Sequence, residues 1–317
     1  YRRQRQMCIR DRLYVDSVQV FNSTTDKVLP DENRMINGFT DYEELTRTRR
    51  LIMRSYKLPG NRLRLLHTNE NRGAVTIDEE RDYHFRYVLE DNFGNRRTYQ
   101  FTVKGKRQDI PEYKPEANEM LYWNRTNVIQ KPGIELVVPR YYVYEDVPLR
   151  TDMRGDSSRI AFDYILDAGR TPIHSYCDLS IGLRHMPVAD TTKYYIVQKA
   201  GKWRSSMGGK YANGWIKTRV RSLGTFSVDV DTIAPQITPI GQGGWRTSRN
   251  IRFRIKDMES GIGSYKVYID GKFVLFGLKK GILVIQNPEK VKKGVPHKLE
   301  VTVTDQCGNM TRKEYKF

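Results

Sequence analysis

Tyr83-His84-Phe85-Arg86-Tyr87-Val88-Leu89-Glu90-Asp91-Asn92-Phe93-Gly94-Asn95-Arg96-Arg97-Thr98-Tyr99-Gln100-Phe101 decides the fold, because the same sentence returns as Leu299-Glu300-Val301-Thr302-Val303-Thr304-Asp305-Gln306-Cys307-Gly308-Asn309-Met310-Thr311-Arg312-Lys313-Glu314-Tyr315-Lys316-Phe317. Each copy alternates apolar and polar side chains, turns through Asp-x-x-Gly-Asn, and alternates again. A period of two marks a strand with one buried face. Asp caps such a turn with its carboxylate, and Gly and Asn tolerate positive φ, so each copy reads as a hairpin closing a β-sandwich.

Working outward, one boundary falls shortly after Val103, and Lys104 to Glu119, with Pro111 and Pro115 among polar residues, reads as a linker. A middle module carries Gly133-Ile134-Glu135-Leu136-Val137-Val138-Pro139 and closes with Leu223-Gly224-Thr225-Phe226-Ser227-Val228. Asp231-Thr232-Ile233-Ala234-Pro235 begins the last module, in which Ile251-Arg252-Phe253-Arg254-Ile255 alternates before a turn-rich Asp257 to Ile262. The expected architecture is all-β: tandem antiparallel, immunoglobulin-like β-sandwich modules over 13–107, 119–230 and 231–317, with a linker at 108–118. One short helical insertion interrupts the first module. Thr40 or Asp41 caps it, Glu43 and Glu44 lead it, Tyr42, Leu45 and Ile52 lie near one face, and Arg47, Arg50 and Arg54 suit the negative end of its dipole.

The first twelve residues, Tyr1 to Arg12, show neither apolar periodicity nor a secretory pattern. Gln6 to Asp11 resembles the translation of a transposon end used in sequencing libraries, so 1–12 reads as an assembly artefact to be left out of fold reasoning. It carries five arginines against one aspartate, a net +4 of the chain's +18. The remaining basic residues are interleaved with Asp and Glu and form no tract or nucleic-acid module, so nucleic acid is not the expected partner. A basic, solvated surface also suits a polyanionic envelope. No apolar run approaches the ~20 residues of a membrane-spanning helix. Cys8, Cys177 and Cys307 are too few and too widely spaced for a disulfide framework or a zinc knuckle, and the latter two read as small buried apolar residues.

The search for chemistry comes up empty. The five histidines, His67, His84, His174, His185 and His297, form no His-x-His or His-x-x-x-His pair, and His185 with Asp190 is a His-x4-Asp spacing of little weight. Gly261-Ile262-Gly263-Ser264 reads as a turn between strands, and Gly241-Gln242-Gly243-Gly244 as a loop that leads into no helical pattern. No catalytic or metal-binding residue is therefore assigned, no cofactor is expected, and no binding residue is assigned. Trp203, Trp215 and Trp245 stand beside Gly- and Ser-rich segments where they could stack on a sugar, although packing is the commoner use of such rings.

Several short motifs carry a family resemblance by their order. These are Val18-Gln19-Val20-Phe21, Phe39-Thr40-Asp41-Tyr42-Glu43, Leu58-Pro59-Gly60-Asn61-Arg62-Leu63, the Asp91 to Asn95 turn, Phe226 leading to Asp231-Thr232-Ile233-Ala234-Pro235, Ser260-Gly261-Ile262, and Tyr268-Ile269-Asp270-Gly271-Lys272-Phe273-Val274-Leu275. Over nearly all of Leu13 to Phe317 the series resembles the region downstream of the peptidase domain in lysostaphin-type (LytM-like) zinc metallopeptidases, metallopeptidase family 23. That resemblance implies a periplasmic or outer-surface location and a noncatalytic accessory region of a peptidoglycan endopeptidase. Its zinc would sit in an absent N-terminal catalytic domain, on His-x-x-x-Asp and His-x-His motifs that do not occur here. The implied partners are peptidoglycan or that peptidase domain. The alternative is a stand-alone envelope glycan-binding or adhesion protein, which would show an exposed aromatic patch on one sandwich, whereas a cryptic hydrolase would show clustered acids or histidines in a cleft.

Overall fold

A computed structural model describes the chain from residue 8 to residue 317 apart from residues 26, 113–115, 157 and 168; of Cys8 and Ile9 it describes the backbone. Residues 1–7 of the segment set aside as an artefact, the Cys8 side chain, and Pro115 of the linker lie outside the described residues. The chain is nearly all-β, in several antiparallel sheets.

The first unit contains β1 (Cys8–Val15), β2 (Val18–Thr24), β3 (Leu66–Thr68), β4 (Asp82–Asp91) and β5 (Arg96–Lys104), in the order β3-β2-β1-β4-β5, with α1 (Tyr42–Thr48) between β2 and β3. Two expectations are corrected here. Residues 8–12 belong to the fold, since β1 starts at Cys8 and Asp11 and Arg12 pair with Ser23 and Asn22 of β2. The unit is also one sheet rather than a two-sheet sandwich. Between β2 and β4 only three residues alternate as a strand, and the apolar residues there (Met35, Phe39, Leu58, Leu63, Leu65) are spaced for turns and coil. They supply the second layer over Leu13, Val15, Val20 and Phe21.

The helix is shorter than its sequence suggests. Asp41 caps it, its Oδ1 accepting from the Glu44 amide at 3.0 Å, and Arg47 lies in the last turn. Arg49 then enters the left-handed region at φ 66°, which ends the helix and leaves Arg50, Ile52 and Arg54 in coil. That coil returns to form a bridge between Met53 and Thr40.

The second unit is a two-sheet sandwich built from β6 (Glu119–Leu121), β7 (Asn127–Lys131), β8 (Ile134–Val138), β9 (Val147–Arg154), β10 (Asp163–Asp167), β11 (Cys177–Gly182), β12 (Tyr194–Ala200), β13 (Trp203–Ser206), β14 (Lys210–Ala212), β15 (Trp215–Val220) and β16 (Gly224–Val230). One sheet runs β13-β12-β16-β10-β9-β6 and the other β14-β15-β11-β8-β7. Leu136, Leu149, Leu166, Leu179, Ile196, Ile216 and Phe226 fill the space between them, together with the buried thiol residue Cys177.

The third unit contains β17 (Gln236–Ile240), α2 (Trp245–Ser248), β18 (Arg252–Lys256), β19 (Ile262–Ile269), β20 (Lys272–Phe273), β21 (Phe276–Lys279), β22 (Ile282–Ile285), β23 (Lys298–Asp305) and β24 (Met310–Lys316). Its sheets, β17-β18-β22-β21 and β20-β19-β23-β24, enclose Phe253, Leu283, Leu299, Val301 and Val303. Two turn assignments change. The glycine run at 241–244 does lead into a helical turn, α2, because Trp245 drives it into the core. Gly261-Ile262-Gly263-Ser264 opens β19, and a Cβ on Gly263 would lie 2.5 Å from the Asp305 carbonyl oxygen, so glycine there permits close approach of β23.

Both hairpins that carry the repeated sentence form, β4–β5 and β23–β24. Asp91 Oδ1 accepts from the amides of Phe93 and Asn95 at 2.8 and 2.9 Å, and Asp305 Oδ1 from those of Cys307 and Asn309 at 2.8 Å each. Gly94 and Gly308 take positive φ, 81° and 80°. Asn95 and Asn309 do not; each instead donates its side-chain amide to the second carboxylate oxygen, at 2.8 and 2.7 Å.

Candidate functional site: an aromatic sheet face

The pairing register of the first unit aligns aromatic residues in rows across its strands. Val15 opposes Phe85, which opposes Phe101; Leu13 opposes Tyr87, which opposes Tyr99. Each row is buried on β1, part-covered on β4 and open on β5, where Tyr99 is 50% and Phe101 51% exposed. The Phe85 and Phe101 rings stack with centroids 5.0 Å apart at 12°. The Arg97 guanidinium lies 5.6 Å from the Tyr99 ring centroid.

Geometry explains the exposure. Coil covers the sheet over β1 and β2, and the two-residue period then carries the apolar face one strand further than the cover reaches. The opposite face is polar and self-satisfied: Glu90 pairs with Arg10, Arg12 and Arg96, and Arg86 lies over Tyr14. Among the described residues β5 has β4 as its one sheet neighbour, which leaves its outer edge unpaired there as well. An apolar, planar, part-solvated row of rings flanked by a guanidinium suits the flat faces of sugar rings.

The three tryptophans singled out in the sequence do not come together. Trp203 is 81% exposed on β13, at one edge of the six-stranded sheet; Trp215 is half-buried in the other sheet of the same sandwich. Trp245 is fully buried in the third unit, packs against Phe253, Tyr315 and Phe317, and donates Nε1–H to the Ile240 carbonyl at 3.0 Å. It is a core residue. The aromatic rows of β4 and β5 were quoted in the sequence for their hairpin; the signal for their exposure was the lack of a second strand-rich layer between β2 and β4.

The histidines are dispersed. His84 lies on the polar face of β4, and His185 is exposed in a loop in which Asp190 caps a turn, accepting from the Thr192 amide at 3.0 Å. His297 contacts Asp270 at 2.6 Å, and His174 contacts the Tyr144 hydroxyl at 3.1 Å.

Sequence reasoning missed a convergence of Asp231, Asp257 and Asp305, which place a carboxylate oxygen each within 4.8 Å of one another. These groups are occupied with turns. Asp231 Oδ2 accepts from the Ser260 amide at 3.0 Å and hydroxyl at 2.5 Å, and Asp257 Oδ2 accepts from the Gly261 amide at 2.6 Å. Burial, with the Asp231 charge adding to it, raises the pKa of Asp305. Asp91, in the same turn but solvated, has its pKa lowered, chiefly by its bond from Asn95. The cluster ties the start of the third unit to two of its turns and is the joint to the second unit, since the Asp231 amide donates to the Lys193 carbonyl at 2.9 Å.

The first and second units meet around Tyr144. Its hydroxyl donates to the Arg34 carbonyl at 2.8 Å, its carbonyl accepts from the Gly60 amide at 2.7 Å, and Gly38 and Gly60 leave room for it. A cavity of about 700 Å³ opens beside this seam, lined among others by Tyr42, Tyr56, Arg54 and Glu145. Among the described residues, no pairing of nucleophile with base, and no histidine, lines it.

Residues 118–231 match the model of the Zu5-like domain. No curated protein matches the chain. Solved structures that it resembles include a Ca2+-stabilised adhesin that helps an Antarctic bacterium bind ice, at 10% identity and a TM-score of 0.19, over 98% of this chain and 89% of that one. A 1.5-MDa bacterial ice-binding adhesin gives 10% identity and 0.17, over 97% and 84%. The Bacteroides ovatus protein SGBP-B of a mixed-linkage glucan utilization locus, in complex with a heptasaccharide, gives 12% and 0.16, over 96% and 60%. Overlaps this loose leave the site to be read from its own residues.

Proposed function

We propose that this chain is a noncatalytic binding region of the cell envelope, which holds a glycan on the aromatic face of its first sheet. The observation that carries the reading is the half-exposed pair Tyr99 and Phe101 at the end of two cross-strand rows. An exposed apolar patch rimmed by polar groups marks a binding surface. The resemblance to the region downstream of a peptidoglycan endopeptidase extends the proposal: such a face would hold cell-wall glycan for a zinc peptidase.

The test is binding of the whole chain to isolated peptidoglycan sacculi and to soluble neutral glycans. Tyr99→Ala with Phe101→Ala is expected to weaken binding about ten-fold, with thermal unfolding little changed because both rings are half solvated. Equal binding by wild type and double variant sinks the aromatic-face reading.

A further inference from the structure

Among the features not used so far, one joins like charge, aromatic contact and an unusual backbone. Tyr141 has φ 67°, in the left-handed region that a bulky side chain rarely occupies. Its backbone is fixed there by a bond from its amide to the Trp123 carbonyl at 2.9 Å, and its ring lies 6.0 Å from that of Trp123.

Two guanidiniums converge on the Tyr141 ring: Arg62 of the first unit at 4.7 Å and Arg140 of the second at 4.4 Å. Both arginines are exposed, and among the described residues neither meets a carboxylate within ion-pair range. Further cations lie close by, although Asp146 accepts from the Trp123 amide at 3.1 Å and Asp31 acts on His174. Arg125 lies 3.8 Å over Tyr122, next to Trp123, and His174 has its pKa lowered by burial first and then by the charges of Arg62 and Arg34.

Bringing guanidiniums together without a counter-charge costs free energy, and so does the left-handed turn that presents them. Arg81 with Asp16 and Arg312 with Glu300 show the alternative, a guanidinium neutralised by a carboxylate; Arg219 and Arg221 share the Tyr176 ring as Arg62 and Arg140 share Tyr141, but there the two guanidiniums come from one strand and its following turn rather than from two units. We infer that Arg62 and Arg140, held on Tyr141 at the seam of the first two units, form a site for a linear anionic glycan bearing carboxylates. The planar guanidinium fork matches a carboxylate two bonds at a time.

A glycan suits the site better than nucleic acid because Tyr141, the ring that carries both charges, is already covered by two guanidiniums and is not free to stack a base. This inference rests on the glycan-binding reading for the polymer class, but on different residues.

The full chain is titrated with fluorescently labelled polygalacturonate, with neutral dextran and with a single-stranded DNA oligonucleotide, in low and in physiological salt. Wild type is expected to bind polygalacturonate most tightly and to weaken with salt. Arg62→Gln with Arg140→Gln is expected to lose about ten-fold for polygalacturonate alone, and Arg62→Lys with Arg140→Lys to recover part of that loss. Unfolding temperature serves as the control for folding. Unchanged polygalacturonate binding by the glutamine variant overturns the site, and tighter binding of DNA overturns the ligand class. Failure of the aromatic-face reading shows separately, as neutral-glycan binding that the Tyr99 and Phe101 substitutions leave intact.

Discussion

Asp91 and Asp305 occupy the same place in two copies of one turn, yet their surroundings push their protonation in opposite directions. For Asp91 the folded pKa lies below the ordinary value, so its contribution to stability is present above that value and is lost as pH falls through the folded pKa. For Asp305 the folded pKa lies above it. Its charge therefore costs stability at neutral pH, and the cost is relieved as pH falls through that higher pKa. Carboxyl titration by NMR should find Asp305 titrating above, and Asp91 below, the unperturbed aspartate; the reverse order would refute the burial of the second turn. The sequence made the turns legible because Asp-x-x-Gly-Asn is local chemistry. It did not show that one turn is buried against Asp231, since that depends on residues 74 positions apart.

Strand elements were read well wherever a period of two ran for at least five residues, as in β4, β5, β23 and β24. The first unit was misread as a sandwich because its second layer comes from coil, and coil has no period to detect. Helix α1 was found from its cap and first-turn acids but extended too far, since a non-glycine left-handed stop at Arg49 leaves no mark in the sequence. Gly263 shows how a glycine taken for a turn can be a packing requirement. Gly263→Ala would force β19 away from the Asp305 backbone and should cost about 1–3 kcal/mol, read as a lower midpoint in urea. A variant as stable as wild type would mean that β19 and β23 separate easily. The aromatic rows follow the same logic: alternation named the face, and only the reach of the coil above it decided that β5 stays open.

At the scale of the molecule, Tyr144 couples the first two units. The ring is buried, it fills space left by Gly38 and Gly60, and its hydroxyl reaches the Arg34 carbonyl. Tyr144→Ala should cost about 3–5 kcal/mol, the range for deleting a large buried aromatic ring. It should also split one calorimetric transition into two, because the first unit would lose its main anchor on the second. A single unshifted transition would show that the seam contributes little. Basic charge, legible in the composition, acquires an address at this seam that no stretch of sequence reveals, since Arg62 and Arg140 meet only when the two units dock.

The Asp231 joint bears on how the chain would carry tension. On the proposed binding role the chain would be pulled along its length when what it holds moves away, and force passing along the backbone into the third unit would pass through Asp231. There Ser260, Ile233 and Asn309, all on the third-unit side, grip the side chain, while Lys193 on the other side holds the amide. Such a latch resists extension with several bonds loaded together, so the connection between the units would yield in a step rather than stretch gradually, and would relock when the load is removed.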